Sequence, residues 1–120
     1  MKYLMIGVSA AGMSAVKTIL EKDPQGEITV VSKDDCPYSR IMMYRLLAGE
    51  MDKKGILFEK EDFLDKKGVQ WHRGREAVGG DVQTKTIQLD DGTELSYDKL
   101  LLATGAYAVI PPIPGLREAK

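Results

Sequence analysis

The sequence predicts an α/β fold in three layers, a parallel sheet accompanied by a small antiparallel β-meander. Three observations predict it. Tyr3-Leu4-Met5-Ile6 and Ile28-Thr29-Val30-Val31 are short, largely apolar runs of the kind found in strands buried on both faces. Between them Met13, Val16, Ile19 and Leu20 recur at helical spacing until Asp23-Pro24 stops the helix. Further on, Thr86-Ile87-Gln88-Leu89 alternates with the two-residue period of a half-exposed strand, and Asp90-Asp91-Gly92-Thr93 is a hairpin turn leading to Glu94-Leu95-Ser96.

Strand, helix and strand within about thirty residues form a βαβ unit, whose strands should run parallel with a right-handed crossover. Residues 33–40 are polar and contain Pro37, so they read as a loop. Residues 41–47 and 61–67 read as short helices, ending near Gly49 and at Gly68. Val69-Gln70-Trp71-His72 and Glu76-Ala77-Val78 read as strands. Leu100-Leu101-Leu102-Ala103 reads as a fully buried strand closed by Thr104-Gly105. Pro111, Pro112, Pro114 and Gly115 continue neither strand nor helix. Residues 1–108 are therefore expected to form the domain and residues 109–120 a connector leaving it.

Bulk composition excludes several classes. With 120 residues, 43% apolar and 29% charged, the chain has the make-up of one globular domain. Seventeen basic and eighteen acidic side chains leave a formal charge of -1. There is no electrostatic case for nucleic acid or an anionic membrane. Lys53-Lys54 and Lys66-Lys67 read as solvated faces. Cys36 is the only cysteine, so no intrachain disulfide or CxxC pair exists, and a reducing, cytoplasmic setting is expected. The apolar run at residues 3–6 is shorter than the ~7 residues a secretion signal needs. Nothing approaches the ~20 apolar residues of a membrane span. His72 has no Cys or acidic partner at ligand spacing, so no metal site is expected and a satisfied structural or surface role is preferred. Trp71, Met42 and Met43 read as packing, and no Ser-His-Asp set can be argued from spacing.

The informative feature is Gly7-Val8-Ser9-Ala10-Ala11-Gly12, between the first strand and its helix. Gly7 permits a tight turn, a small residue at position 9 lets backbone approach a pyrophosphate, and Gly12 lets helix and strand pack closely. The amides at the helix start then bind phosphate. The strict pattern has glycine where Ser9 stands, and serine is more restricted in φ. In this strand–turn–helix context the motif predicts a Rossmann-like dinucleotide-binding domain. Such sites place an acidic residue about twenty positions further on, against the ribose. Here Ser32 stands in that place and Lys33 follows. Either Ser32 with a backbone amide holds the adenosine ribose, or Asp34 reaches back to it. A Ser32-Lys33 pair accepting a 2′-phosphate keeps NADP open as the dinucleotide.

Three segments then resemble one family. Residues 7–15 match a flavin pyrophosphate loop, and Pro37-Tyr38-Ser39-Arg40 matches a loop and helix beside the flavin. Thr93 through Tyr97-Asp98-Lys99-Leu100-Leu101-Leu102-Ala103-Thr104-Gly105 matches a second signature: an acidic lead-in, an apolar strand and an Ala-Thr-Gly ending. Together they resemble the N-terminal part of the pyridine nucleotide-disulfide oxidoreductase family, in the branch with rubredoxin reductase, nitrite reductase and NADH oxidase. The resemblance runs in order over essentially all 120 residues.

The resemblance implies FAD as cofactor and NAD(P)H as electron donor. It implies that Gly7, Ser9, Ala10, Ala11 and Gly12 cradle the FAD pyrophosphate and that Ser32 and Lys33 lie at the adenosine ribose. Ala77 would meet the adenine through its backbone, and Ala103, Thr104 and Gly105 would close over the pyrophosphate. Arg40 would lie near the phosphates or flavin, the alternative being a salt bridge at a helix start. Where part of the family carries a redox-active cysteine, this chain has Ile41. Cys36, five residues earlier, reads as a small loop residue. Hydride transfer from NAD(P)H to flavin, with electrons leaving to a separate protein or small-molecule acceptor, is therefore favoured over disulfide reduction.

Family members bind NAD(P)H in a second βαβ domain and complete the flavin pocket with a later segment. Neither is found here, so these 120 residues alone are expected to bind FAD weakly or not at all, and not to turn over. Apolar surface left by the missing parts would favour a homodimer. Two other readings stay open: a stand-alone NAD(P)-binding sensor module, and a structural interaction domain with a degenerate site.

Overall fold

The computed structural model describes residues 1–116. Seven strands and three short-to-medium α-helices follow one another along the described chain, with one 3-10 turn at Lys54–Ile56. They are β1 (Lys2–Ile6), α1 (Ala10–Lys22), β2 (Glu27–Ser32), α2 (Met43–Leu47), α3 (Phe63–Lys66), β3 (Gln70–Arg73), β4 (Ala77–Asp81), β5 (Thr86–Leu89), β6 (Glu94–Ser96) and β7 (Lys99–Leu102). The main sheet runs β3-β2-β1-β7 with every pair parallel. The β4-β5-β6 meander is antiparallel. This is the expected α/β architecture with its small meander.

Strand alternation sorts the core into two layers. Met5, Ile28 and Val30 point to the side where Val8, Met13 and Val16 of the loop and α1, Leu64 of α3 and Val69 pack. Leu4, Ile6 and Val31 point to the other side, against Ile87 and Leu89 of the meander. Helices, sheet and meander thus form the three layers. The Asp90–Gly92 hairpin forms as expected. Asp91 accepts the Thr93 backbone N–H at 2.9 Å, and that bond, ahead of nearby Arg75, holds its carboxyl below the usual range. The folded value lies below the unfolded one, so this contribution to stability is present above about pH 4 and is lost as pH falls through the folded value.

Several boundaries differ from the sequence expectation. The helix expected over 41–47 begins at Met43, because Ser39 to Met42 form a turn in which the Met42 N–H donates to the Ser39 carbonyl at 3.2 Å. The helix expected over 61–67 shrinks to α3. Glu76 lies just outside β4, which continues through Gly79-Gly80 to Asp81 with a register shift between Ala77 and Gly79.

The larger correction concerns β7. Leu101 and Leu102 were expected to be buried on both faces, yet they are 36% and 66% exposed. Among the described residues β7 pairs only with β1 and forms the sheet edge, and of its residues only Leu100 packs into the meander-side core. His72 is also corrected: it is half-buried beside Val31 in the ladder, and its Nε2 has no hydrogen-bond partner among the described residues. It is structural but unsatisfied.

The two layers should respond unequally to truncation. Leu64→Ala, at a side chain 1% exposed, should cost about 2–5 kcal/mol in urea unfolding, whereas Leu102→Ala should stay within about 0.5 kcal/mol.

Candidate functional site

β1 lies centrally, with β2 and β3 on one side and β7 on the other. The chain therefore changes direction across the sheet between β1 and β7. In open α/β sheets, ligands bind at such a switch point, beyond the carboxyl ends of the strands. A cavity of about 490 Å³ opens there.

Its floor is built from backbone. Gly7 has φ +114°, a conformation that side chains other than glycine's rarely adopt. A Cβ on Gly7 would overlap the Ala103 carbonyl oxygen at the end of β7, and one on Gly12 would overlap the Gly7 carbonyl oxygen. The turn and the first helical turn are thus packed without room for a methyl group. Ser9 caps α1 with φ −83°, a value open to any residue, so the serine in the second glycine position carries no strain. Its side chain makes no capping bond. The Met13 N–H donates to the Ser9 carbonyl at 2.9 Å, which starts the helix and leaves the preceding amides of Ala10, Ala11 and Gly12 as the N-terminal donors.

Nine of the twelve residues singled out from sequence line this one cavity: Gly7, Ser9, Ser32, Lys33, Arg40, Ala77, Ala103, Thr104 and Gly105. Ala10, Ala11 and Gly12 form the first turn of α1 immediately behind Ser9. Ser32, at the end of β2, is only 6% exposed. Its hydroxyl accepts from the Trp71 indole Nε1 at 2.9 Å and donates to the Asp34 carbonyl at 2.6 Å. Arg40 pairs with Asp34 at 3.4 Å and lies over the Tyr38 ring at 5.8 Å; its ion pair falls in the turn before α2 and not at the helix start. Lys33 pairs with Glu76 at 2.7 Å.

Sequence reasoning missed Arg75, Glu76 and Tyr107, which also line the cavity. Arg75 and Glu76 arrive because the Arg75 backbone N–H donates to the Ser32 carbonyl at 2.9 Å, tying the turn before β4 to the end of β2. The available signal was their position directly before Ala77. Cys36 lies outside the cavity lining and is half-buried. Burial first, and then the neighbouring Asp35 carboxylate, push its thiol above the ordinary cysteine value, which disfavours the thiolate. Among the described residues no cluster of three or more His, Cys, Asp or Glu could hold a metal, and no helix is long and apolar enough to cross a membrane.

A glycine turn packed against the opening of a helix, at the switch point of a parallel sheet, defines a Rossmann-like dinucleotide-binding fold. The chain is 36% identical over 116 residues to the NADH-dependent phenylglyoxylate dehydrogenase subunit epsilon of Aromatoleum evansii, covering 96% of this chain and 28% of that protein. It is 32% identical over 123 residues to an NADH oxidase of Enterococcus faecalis, covering 97% and 28%. The solved structure of NADH:rubredoxin oxidoreductase from Clostridium acetobutylicum superposes with a TM-score of 0.85 at 29% identity, covering 94% of this chain and 30% of that one. The sequence model for pyridine nucleotide-disulphide oxidoreductase matches residues 1–120, and the chain belongs to that family. It spans less than a third of the length of each of these relatives.

Two outcomes check this geometry. Gly12→Ala should destabilise the chain by about 1–3 kcal/mol in chemical unfolding, although alanine is the better helix former by about 1 kcal/mol. Cys36 should react with a thiol-disulfide reagent at pH 8 at least about threefold more slowly than a cysteine in a short peptide.

Proposed function

We propose that this chain is the FAD-binding portion of an NAD(P)H-dependent oxidoreductase that passes hydride from NAD(P)H to FAD and electrons on to a separate acceptor. The observation that carries the reading is the close backbone packing at Gly7 and Gly12, where a Cβ would overlap the Ala103 and Gly7 carbonyl oxygens, so that the start of α1 stands at the edge of the cavity. It fits a pyrophosphate, since the unpaired amides at the start of α1 offer hydrogen bonds and partial positive charge. The cavity volume lies within the ~300–1,000 Å³ of small-molecule sites. The names of the relatives support NADH as donor, and one names rubredoxin.

When bound, FAD would supply a two-electron redox centre, and this chain's residues would bind and orient it. Gly7, Ser9, Ala10, Ala11 and Gly12 would donate backbone contacts to the pyrophosphate, with Ala103, Thr104 and Gly105 closing the opposite wall. Ser32 and Lys33 would stand at the ribose and Ala77 at the adenine. Arg40, fixed by Asp34, would place a cation at the pocket mouth.

The same reading assigns residues 1–108 to the flavin domain and residues 109–120 to a connector toward an NAD(P)H-binding domain. In support, residues 106–113 form no helix or strand and are exposed; residues 117–120 lie outside the described part. A cytoplasmic location and a homodimer belong to it as well. The lone Cys36 supports the first, and the free, apolar edge of β7 supports the second.

Equilibrium dialysis against FAD tests the reading. The chain should bind FAD weakly, with a Kd on the order of 0.1–1 mM, and Gly12→Ala should weaken it at least about tenfold. Equal retention by both proteins would overturn the proposal.

A further inference from the structure

The adenosine end of the pocket has an unusual arrangement of charge. A carboxylate at the end of the second strand normally receives the ribose hydroxyls. Here that position is Ser32, whose hydroxyl is already engaged with the Trp71 indole and the Asp34 carbonyl. The Asp34 carboxylate faces Arg40 at 3.4 Å. Glu76 comes from a different element, the turn before β4, and is brought to the end of β2 by the bond from the Arg75 N–H to the Ser32 carbonyl. Its Oε1 lies 2.7 Å from Lys33 Nζ. The three basic side chains lining the pocket are each answered by a carboxylate: Lys33 by Glu76, Arg40 by Asp34, and Arg75 by Asp91 at 3.2 Å.

We propose that Glu76, held by Lys33, is the specificity-determining carboxylate of this site, accepting the adenosine 2′-hydroxyl and excluding dinucleotides that carry a 2′-phosphate. The inference rests on the dinucleotide-binding reading above and adds its selectivity. A carboxylate is an acceptor only, so it suits a hydroxyl donor. A 2′-phosphate brings roughly two negative charges at pH 7 and meets like charge. Lys33 alone would favour that phosphate. Paired with Glu76, it is neutralised and instead fixes the carboxylate's position. Both side chains are largely exposed, so the effect is one of discrimination and not of fold stability.

Calorimetric titration of the chain with ADP-ribose and with 2′-phospho-ADP-ribose tests this, with FAD titrated alongside. Wild type should favour ADP-ribose by at least about tenfold. Glu76→Gln and Glu76→Ala should each narrow the ratio to below about threefold, and Glu50→Gln, at a carboxylate outside the pocket lining, should leave it unchanged. A ratio that Glu76→Gln does not move, or that Glu50→Gln moves equally, overturns the inference while leaving the dinucleotide reading intact. If neither ADP-ribose nor FAD binds wild type, that reading fails and the inference falls with it.

Discussion

Everything at the candidate site depends on a contact that involves no side chain. At the end of β1 the backbone of Gly7 lies against the Ala103 carbonyl, and the first turn of α1 lies against the carbonyl of Gly7 through Gly12. Two ladder bonds hold the surrounding strands in register, from the Gly7 N–H to the Val31 carbonyl and from the Ala103 N–H to the Ile6 carbonyl, each 2.8 Å. Three segments far apart in sequence therefore meet within atomic contact. Their convergence sets the direction of α1, the depth of the pocket floor and the place where the first amides of α1 emerge. The intrinsic preference of alanine over glycine in a helix, about 1 kcal/mol, is small beside this packing requirement.

How far this was legible in the sequence follows from the range of the interactions. Local patterns identified the glycine loop, the period of α1 and the Asp90–Gly92 hairpin, because each is decided by neighbours along the chain. The exposure of β7 was not legible. Leu100-Leu101-Leu102 looks as apolar as Tyr3-Leu4-Met5-Ile6, and only the strand order reveals that one run is central and the other an edge. Ser32 gave a half-answer for the same reason. Its place at the end of β2 was readable, but the indole that occupies its hydroxyl comes from 39 residues later. Arg75 and Glu76 were overlooked because a backbone bond to β2, and no property of their own, brings them to the cavity.

The pocket is also tied to the hydrophobic layer beneath it. Asp65 beside Leu64 on α3 pairs with Arg73 at 2.6 Å, and Arg73 lies over the Trp71 ring at 4.3 Å. Trp71 packs against the core cluster of Met5, Val30 and Leu64 while its Nε1 reaches Ser32. One side chain thus closes the apolar layer and sets the polar rim. Such sharing couples rim geometry to core packing through contiguous contacts.

Trp71 is the sole tryptophan of the chain, so the indole emission of the protein comes from a single place. That place is one hydrogen bond from the cavity lining. The fluorophore stands beside the cavity, where a change at Ser32 alters the polarity and hydrogen bonding of the indole directly. The fold thereby carries its own optical reporter of the state of Ser32, and no label need be introduced to follow it.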